Sequence, residues 1–155
     1  MAGDAPSIAS TGAVELVRDT GCRFTIDFDG SGAALTTDAP PPVGSGRGPD
    51  SEMLLIAAVA NCLSASLAFF LRKFRNDDVP IRTRAAATLA RTAQGRSRVQ
   101  AIDVDIRLGV PASSVRLLER ALAQYEDHCV VTQSVRAAIA VTVRIVDADG
   151  VVLGA

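Results

Sequence analysis

The longest apolar pattern in the chain lies between Pro49 and Asn76, PDSEMLLIAAVANCLSASLAFFLRKFRN, where Met53 to Leu71 run nineteen residues without a charge. A helix apolar on nearly every side belongs in the middle of a core or in a membrane. Pro49 pre-sets its own φ, and Asp50 or Ser51 is able to cap the first free N–H groups. Arg72, Lys73 and Arg75 suit the negative end of the helix dipole. A membrane span needs about twenty apolar residues, and this run nearly qualifies. Asn61, Ser64 and Ser66 interrupt it, Asp50 and Glu52 press on one end, and no Trp or Tyr marks an interface. The core reading is therefore taken.

Period-two patterns flank this helix. Val14–Arg18 and Arg23–Phe28 read as paired strands, with Phe24, Ile26 and Phe28 alternating against Thr25 and Asp27. Asp19-Thr20-Gly21 and Asp29-Gly30 are turn chemistry. A third short strand is expected over Ala33–Thr37, then a loop from Ala39 to Pro49 with three successive prolines and Gly44, Gly46 and Gly48. After the helix, Arg82–Arg91 and Val99–Leu108 read as a long hairpin. Its second strand sets Ile102, Val104, Ile106 and Leu108 on one face and Asp103, Asp105 and Arg107 on the other. Pro111 with Ser113 or Ser114 starts a second helix, whose Val115, Leu118, Leu122 and Tyr125 form one stripe. A third helix is expected over Val131–Ala138 and a closing strand through Val141, Val143 and Ile145. Strands grouped apart from helices predict an α+β fold with mainly antiparallel sheets. One small sheet does not cover a helix that is apolar all round, so a homodimer is expected, with the sheets of two chains wrapped around two central helices.

Composition narrows the reading. At 155 residues one domain is expected, over residues 11–155, behind a small-residue tail at residues 1–10 that reads as flexible. The formal net charge of −1 argues against a general nucleic-acid or membrane-surface binder. The N-terminus shows no basic region followed by an apolar one, so no secretion signal is read. Cys22, Cys62 and Cys129 are odd in number and far apart, which suits a cytoplasmic protein better than a secreted disulfide framework.

The candidate chemistry is the thiols. Cys62 sits midway along the apolar helix. Cys129, in YEDHCVVTQSVRAAI, sits at a junction between two expected helices, where N–H dipoles favour thiolate. Two such thiols form a redox pair if the fold joins them; otherwise each is a small buried hydrophobe. Cys22 falls in a turn and reads as incidental. His128 is the only histidine, which leaves little for a metal cluster or a serine triad, and it reads as a surface residue that could tune Cys129. Gly44-Ser45-Gly46-Arg47-Gly48 lacks the lysine of a phosphate loop and follows prolines rather than a strand.

The segment GPDSEMLLIAAVANC resembles the signature of the OsmC/Ohr family of thiol peroxidases: a Gly-rich loop, a Pro, a Glu near the helix start, and an Ala-rich run ending in Cys. HCVVTQSVRAAIAVTVRI is similar to the family's second element, although the family commonly places Pro and then Ser after that cysteine, where this chain has Val130, Val131 and Thr132. The order of elements agrees from about Val14 to Val146. The resemblance implies an OsmC-like intertwined homodimer that reduces organic hydroperoxides. Cys62 would be the peroxidatic thiol and Cys129 the resolving one. No metal or bound organic cofactor would be needed, only an external dithiol, lipoyl-type or other. Glu52 matches the family's Glu, which holds an Arg from the N-terminal strands against the thiol; Arg23 matches that Arg best and Arg18 second. Ten residues of helix separate Glu52 from Cys62 by roughly 15 Å and about 80° of rotation. Glu52 is thus expected to serve Cys62 of a partner subunit, giving two sites per dimer. The alternative left open is a non-catalytic OsmC-like dimer that binds a small apolar ligand or senses oxidants.

Overall fold

The structure is a computed structural model that describes residues 12–154. The expected tail at residues 1–10 lies outside the described residues. The chain divides into two compact units, one ending at Ser51 and the other running from Glu52.

The first unit is a three-stranded antiparallel sheet, β1 (Glu15–Thr20), β2 (Arg23–Asp27) and β3 (Leu35–Thr37), in that spatial order. After β3 the chain folds into the Gly-rich loop around the Asp38 carboxylate. That carboxylate accepts the Ser45 hydroxyl at 2.6 Å and the N–H groups of Ser45 and Arg47 at 3.1 and 3.2 Å. The Ser45 hydroxyl is the main influence holding Asp38 below its usual pKa. These N–H donors are turned on an internal anion, so the loop is no phosphate cradle. Glycine is required at Gly44 and Gly48, where a Cβ would lie 2.2 Å from the Ala39 oxygen and 2.1 Å from the Thr36 oxygen.

The second unit opens with the long helix α1 (Ser51–Lys73), which starts in its first turn with Glu52 and ends on Arg72 and Lys73, as the charge pattern predicts. By length and composition alone α1 could cross a membrane. One of its faces is instead core: Val59, Leu63, Leu67, Phe70 and Leu71 pack with Ile102, Val104, Ile106, Leu108, Val143 and Ile145. Ser64 fastens it to the sheet through Thr83, with 2.6 Å between hydroxyls. Its opposite face, with Met53 and Phe69 at 57% and 61% exposure, meets solvent.

The sheet beside α1 comprises β4 (Ile81–Arg91), β5 (Ser97–Leu108), β6 (Ala140–Val146) and β7 (Val152–Gly154), in that order. The β4–β5 and β6–β7 pairs are antiparallel, whereas β5 and β6 are parallel. The parallel pair follows from the long crossover between them, which returns the chain to the end of the sheet where β5 began.

That crossover departs from the expected second helix. It holds a 3₁₀ turn at Ala112–Ser114, a break, then only α2 (Leu118–Leu122) and later α3 (Val130–Val135). The break has a distant cause. The Asn76 side chain donates to the Arg116 carbonyl and accepts the Arg116 N–H, both at 2.9 Å, which takes these groups out of any helical ladder. Leu117 then adopts a left-handed conformation, φ 52°. Val115, Leu118 and Tyr125 are nevertheless buried, as the stripe predicts. Asn76 also donates to the Leu71 carbonyl at the end of α1, so one side chain joins the helix terminus to the crossover. Asn76→Ala is expected to lower stability by about 2 kcal/mol, read as a lower urea midpoint with unchanged m; an unchanged midpoint would show the clamp to be idle.

Candidate active site

The two thiols expected to act together are together. Cys62 lies midway along α1 and is half-buried; Cys129, fully buried, is the residue from which α3 starts. Cys62 packs against the core cluster that contains Cys129 and raises the pKa of the Cys129 thiol, and neither is in a disulfide.

Three contacts dock the segment that carries Cys129 onto α1. Ser66, one turn beyond Cys62, donates its hydroxyl to the Tyr125 carbonyl, four residues before Cys129. Further along α1, the Phe70 ring meets the His128 ring edge-on at 4.8 Å. The third contact is the thiol pair itself. The segment is braced from its other side by an Arg136–Glu126 ion pair and by Gln133, whose side chain donates to the Glu126 carbonyl at 3.1 Å. The Tyr125 phenol donates to Glu126 at 3.0 Å, and burial pushes its pKa far up. His128 has its Nδ1 2.9 Å from the Gln124 carbonyl. A carbonyl only accepts, so the proton sits on Nδ1.

Burial also pushes the Cys129 thiol up, and the neighbouring Cys62 thiol adds to this. Thr132 pulls the other way through its hydroxyl and its backbone N–H. The Cys129 Sγ lies 2.8 Å from the Thr132 Oγ1 in a fully buried setting.

A cleft of about 510 Å³ opens at Cys62. Ala58, Ala65, Phe69 and Val131 supply apolar wall, while Asn61, Ser66 and His128 supply polar groups. A larger cavity of about 680 Å³, beside α2 and β7, holds neither cysteine.

The remaining expected site residues stand as follows. Glu52 is exposed in the first turn of α1, ten residues before Cys62 on one unbroken helix. Arg18, on β1, donates to the Gly21 carbonyl at 2.9 Å; Arg23, at the start of β2, lies 3.6 Å from the Asp19 carboxylate. Cys22 is exposed in the β1–β2 turn. Among the described residues no group of His, Cys, Asp and Glu could hold a metal ion.

The sequence model of the OsmC-like protein family matches residues 44–144, about two thirds of the chain. The chain belongs to the OsmC-like family. Among curated proteins none matches the sequence. Solved structures match the fold closely. An OsmC-like protein of unknown function from Vibrio cholerae O1 biovar eltor shares 18% identity over 89% of this chain and 100% of that one, with a TM-score of 0.73. The organic hydroperoxide resistance protein OsmC of Legionella pneumophila shares 13% over 90% and 98%, at 0.67. The organic hydroperoxide resistance protein OhrB of Bacillus subtilis shares 14% over 88% and 98%, at 0.65. The fold is therefore OsmC-like α+β, as the resemblance implies.

Sequence reasoning singled out both thiols but missed Ser66 and Thr132. The available signals were their spacings, one turn after Cys62 and three residues after Cys129. Exposure sets an order of alkylation for the native reduced protein: Cys22 first, Cys62 next, Cys129 slowest. Peptide mass mapping after timed iodoacetamide pulses checks this, and Cys129 labelling as fast as Cys22 would contradict the buried placement.

Proposed function

We propose that the protein is a thiol-dependent peroxidase that reduces organic hydroperoxides. The observation that carries this reading is the juxtaposition of Cys62 and the buried Cys129, with Cys62 on the wall of a largely apolar cleft. The Cys62 thiolate attacks the outer peroxide oxygen, the O–O bond breaks, and the alkoxide takes a proton and leaves as alcohol. Cys62 is left as a sulfenic acid. Cys129 attacks that sulfur, the S–O bond breaks, and hydroxide leaves with the Cys129 proton as water. The resulting disulfide is reduced by an external dithiol, lipoyl-type or other, through a mixed disulfide. The scheme uses no metal or bound organic cofactor, and it suits the reducing cytoplasm. Ala58, Ala65, Phe69 and Val131 favour the organic part of the substrate over water.

The reading extends to a homodimer. The solvent-facing side of α1 carries Met53, Ala57, Ala58, Ala65 and Phe69, and β1 exposes Leu16 and Val17. A second copy would cover them, and Glu52 with Arg23 or Arg18 would serve Cys62 of the partner subunit. A second reading, a non-catalytic OsmC-like dimer that binds a small apolar ligand or senses oxidants without turnover, is favoured by the largely apolar walls of the cleft at Cys62.

Steady-state consumption of cumene hydroperoxide with a dithiol tests the first reading. Turnover is expected, with Cys62→Ser lowering it at least about a hundredfold. A disulfide that forms once with no further consumption would select the sensor. Mixing Cys62→Ser chains with Glu52→Gln chains is expected to restore activity by completing one site per heterodimer; an inactive mixture would end the shared-site arrangement.

A further inference from the structure

A buried thiol with a raised pKa makes a poor nucleophile, yet resolution of the Cys62 sulfenic acid requires Cys129 to attack. Thr132 is the polar side chain placed to change that. It is fully buried, and its Oγ1 lies 2.8 Å from the Cys129 Sγ. In the reduced protein the thiol donates and the hydroxyl accepts. A threonine hydroxyl both donates and accepts, and its hydrogen rotates about the Cβ–Oγ1 bond. When Cys129 loses its proton, the same contact is able to reverse, with Thr132 O–H donating to the thiolate without any movement of heavy atoms.

We propose that Thr132 is the positioning residue of the resolving step, holding Cys129 toward Cys62 and donating its hydroxyl hydrogen to the Cys129 thiolate as that thiolate forms. The peroxidase role rests on the preceding reading, but the thiol chemistry does not. Any reagent that leaves a displaceable group on Cys62 sets up the same displacement. The Cys129 thiolate attacks the Cys62 sulfur, a new S–S bond forms, and the old bond to the leaving group breaks. In the peroxide cycle the leaving group is hydroxide, which departs as water with the Cys129 proton. Thr132 keeps its proton throughout. Among the described residues, Cys62 from α1 and Tyr125 in the turn before it are titratable groups that interact with Cys129, and His128, the preceding residue, lines the cleft with Cys62. A hydrogen bond to a charged group is among the stronger ones in proteins, and its loss from a buried thiolate is felt in full.

The test uses an aromatic disulfide, 5,5′-dithiobis(2-nitrobenzoic acid), on the full chain carrying Cys22→Ser, since Cys22 is exposed and would react too. Cys62 displaces one thionitrobenzoate and retains the other; Cys129 then displaces the second and closes the disulfide. Stopped-flow absorbance resolves the two releases, the first serving as the reference in each protein. Thr132→Val keeps the shape and removes the hydroxyl. It is expected to slow the second release about ten- to a hundredfold and to displace its pH–rate profile to the alkaline side by about one unit or more. Thr132→Ser keeps the hydroxyl and is expected to restore both. A second release in Thr132→Val with the wild-type rate and pH profile would overturn the proposal, as would a Thr132→Ser protein as slow as Thr132→Val. Failure of the wild type to consume peroxide, with this pattern intact, would overturn only the peroxidase reading.

Discussion

The site depends on one docking contact, the hydroxyl of Ser66 on the carbonyl of Tyr125. Each end of that bond lies four residues from a cysteine. On α1 the offset is one helical turn, so Ser66 and Cys62 share a ridge. In the crossover it spans the turn that leads into α3. Fixing one pair of residues therefore brings the other pair into register. The Phe70–His128 contact continues the same seam. The seam stands over the buried face of α1, whose Leu63 and Leu67 reach the strands of the second sheet. Rigid support below and a polar clasp above hold two thiols that the sequence separates by almost half the chain.

What the sequence displayed was what local pattern decides. An uncharged run of nineteen residues has few homes, and α1 lies where that run puts it. In β5 the alternation is literal, with Ile102, Val104, Ile106 and Leu108 buried and Asp103, Asp105 and Arg107 exposed. The expected hairpin, from Arg82–Arg91 to Val99–Leu108, differs from the observed one only by a residue or two at its ends.

The unread parts are those fixed by distant partners. The second helix breaks at Arg116 because Asn76, forty residues earlier, occupies its backbone groups. Nothing near Arg116 announces this, and the apolar stripe through Val115 and Leu118 still buries as a helix would. β6 lies parallel to β5 because of where the crossover returns, which no strand pattern encodes. The thiol pairing belongs to the same class. Cys62 and Cys129 each looked special locally, but their meeting is a property of topology, and it was the family resemblance that paired them. Thr132 was visible only as a departure from the family's usual residues, while its oxygen against the Cys129 sulfur shows the use to which the position is put.

The 67-residue separation of the two thiols has a mechanical side. A covalent link between them would tie most of the second unit into one ring. In the chain-entropy account, closing a ring of that size removes enough freedom from the unfolded chain to stabilise the folded one by about 4 kcal/mol, less any strain in the link. Oxidation would leave a chain that resists unfolding and proteolysis, and reduction would return a looser one. A protein of this design would toughen as conditions turn oxidising, at the moment when its neighbours are being damaged.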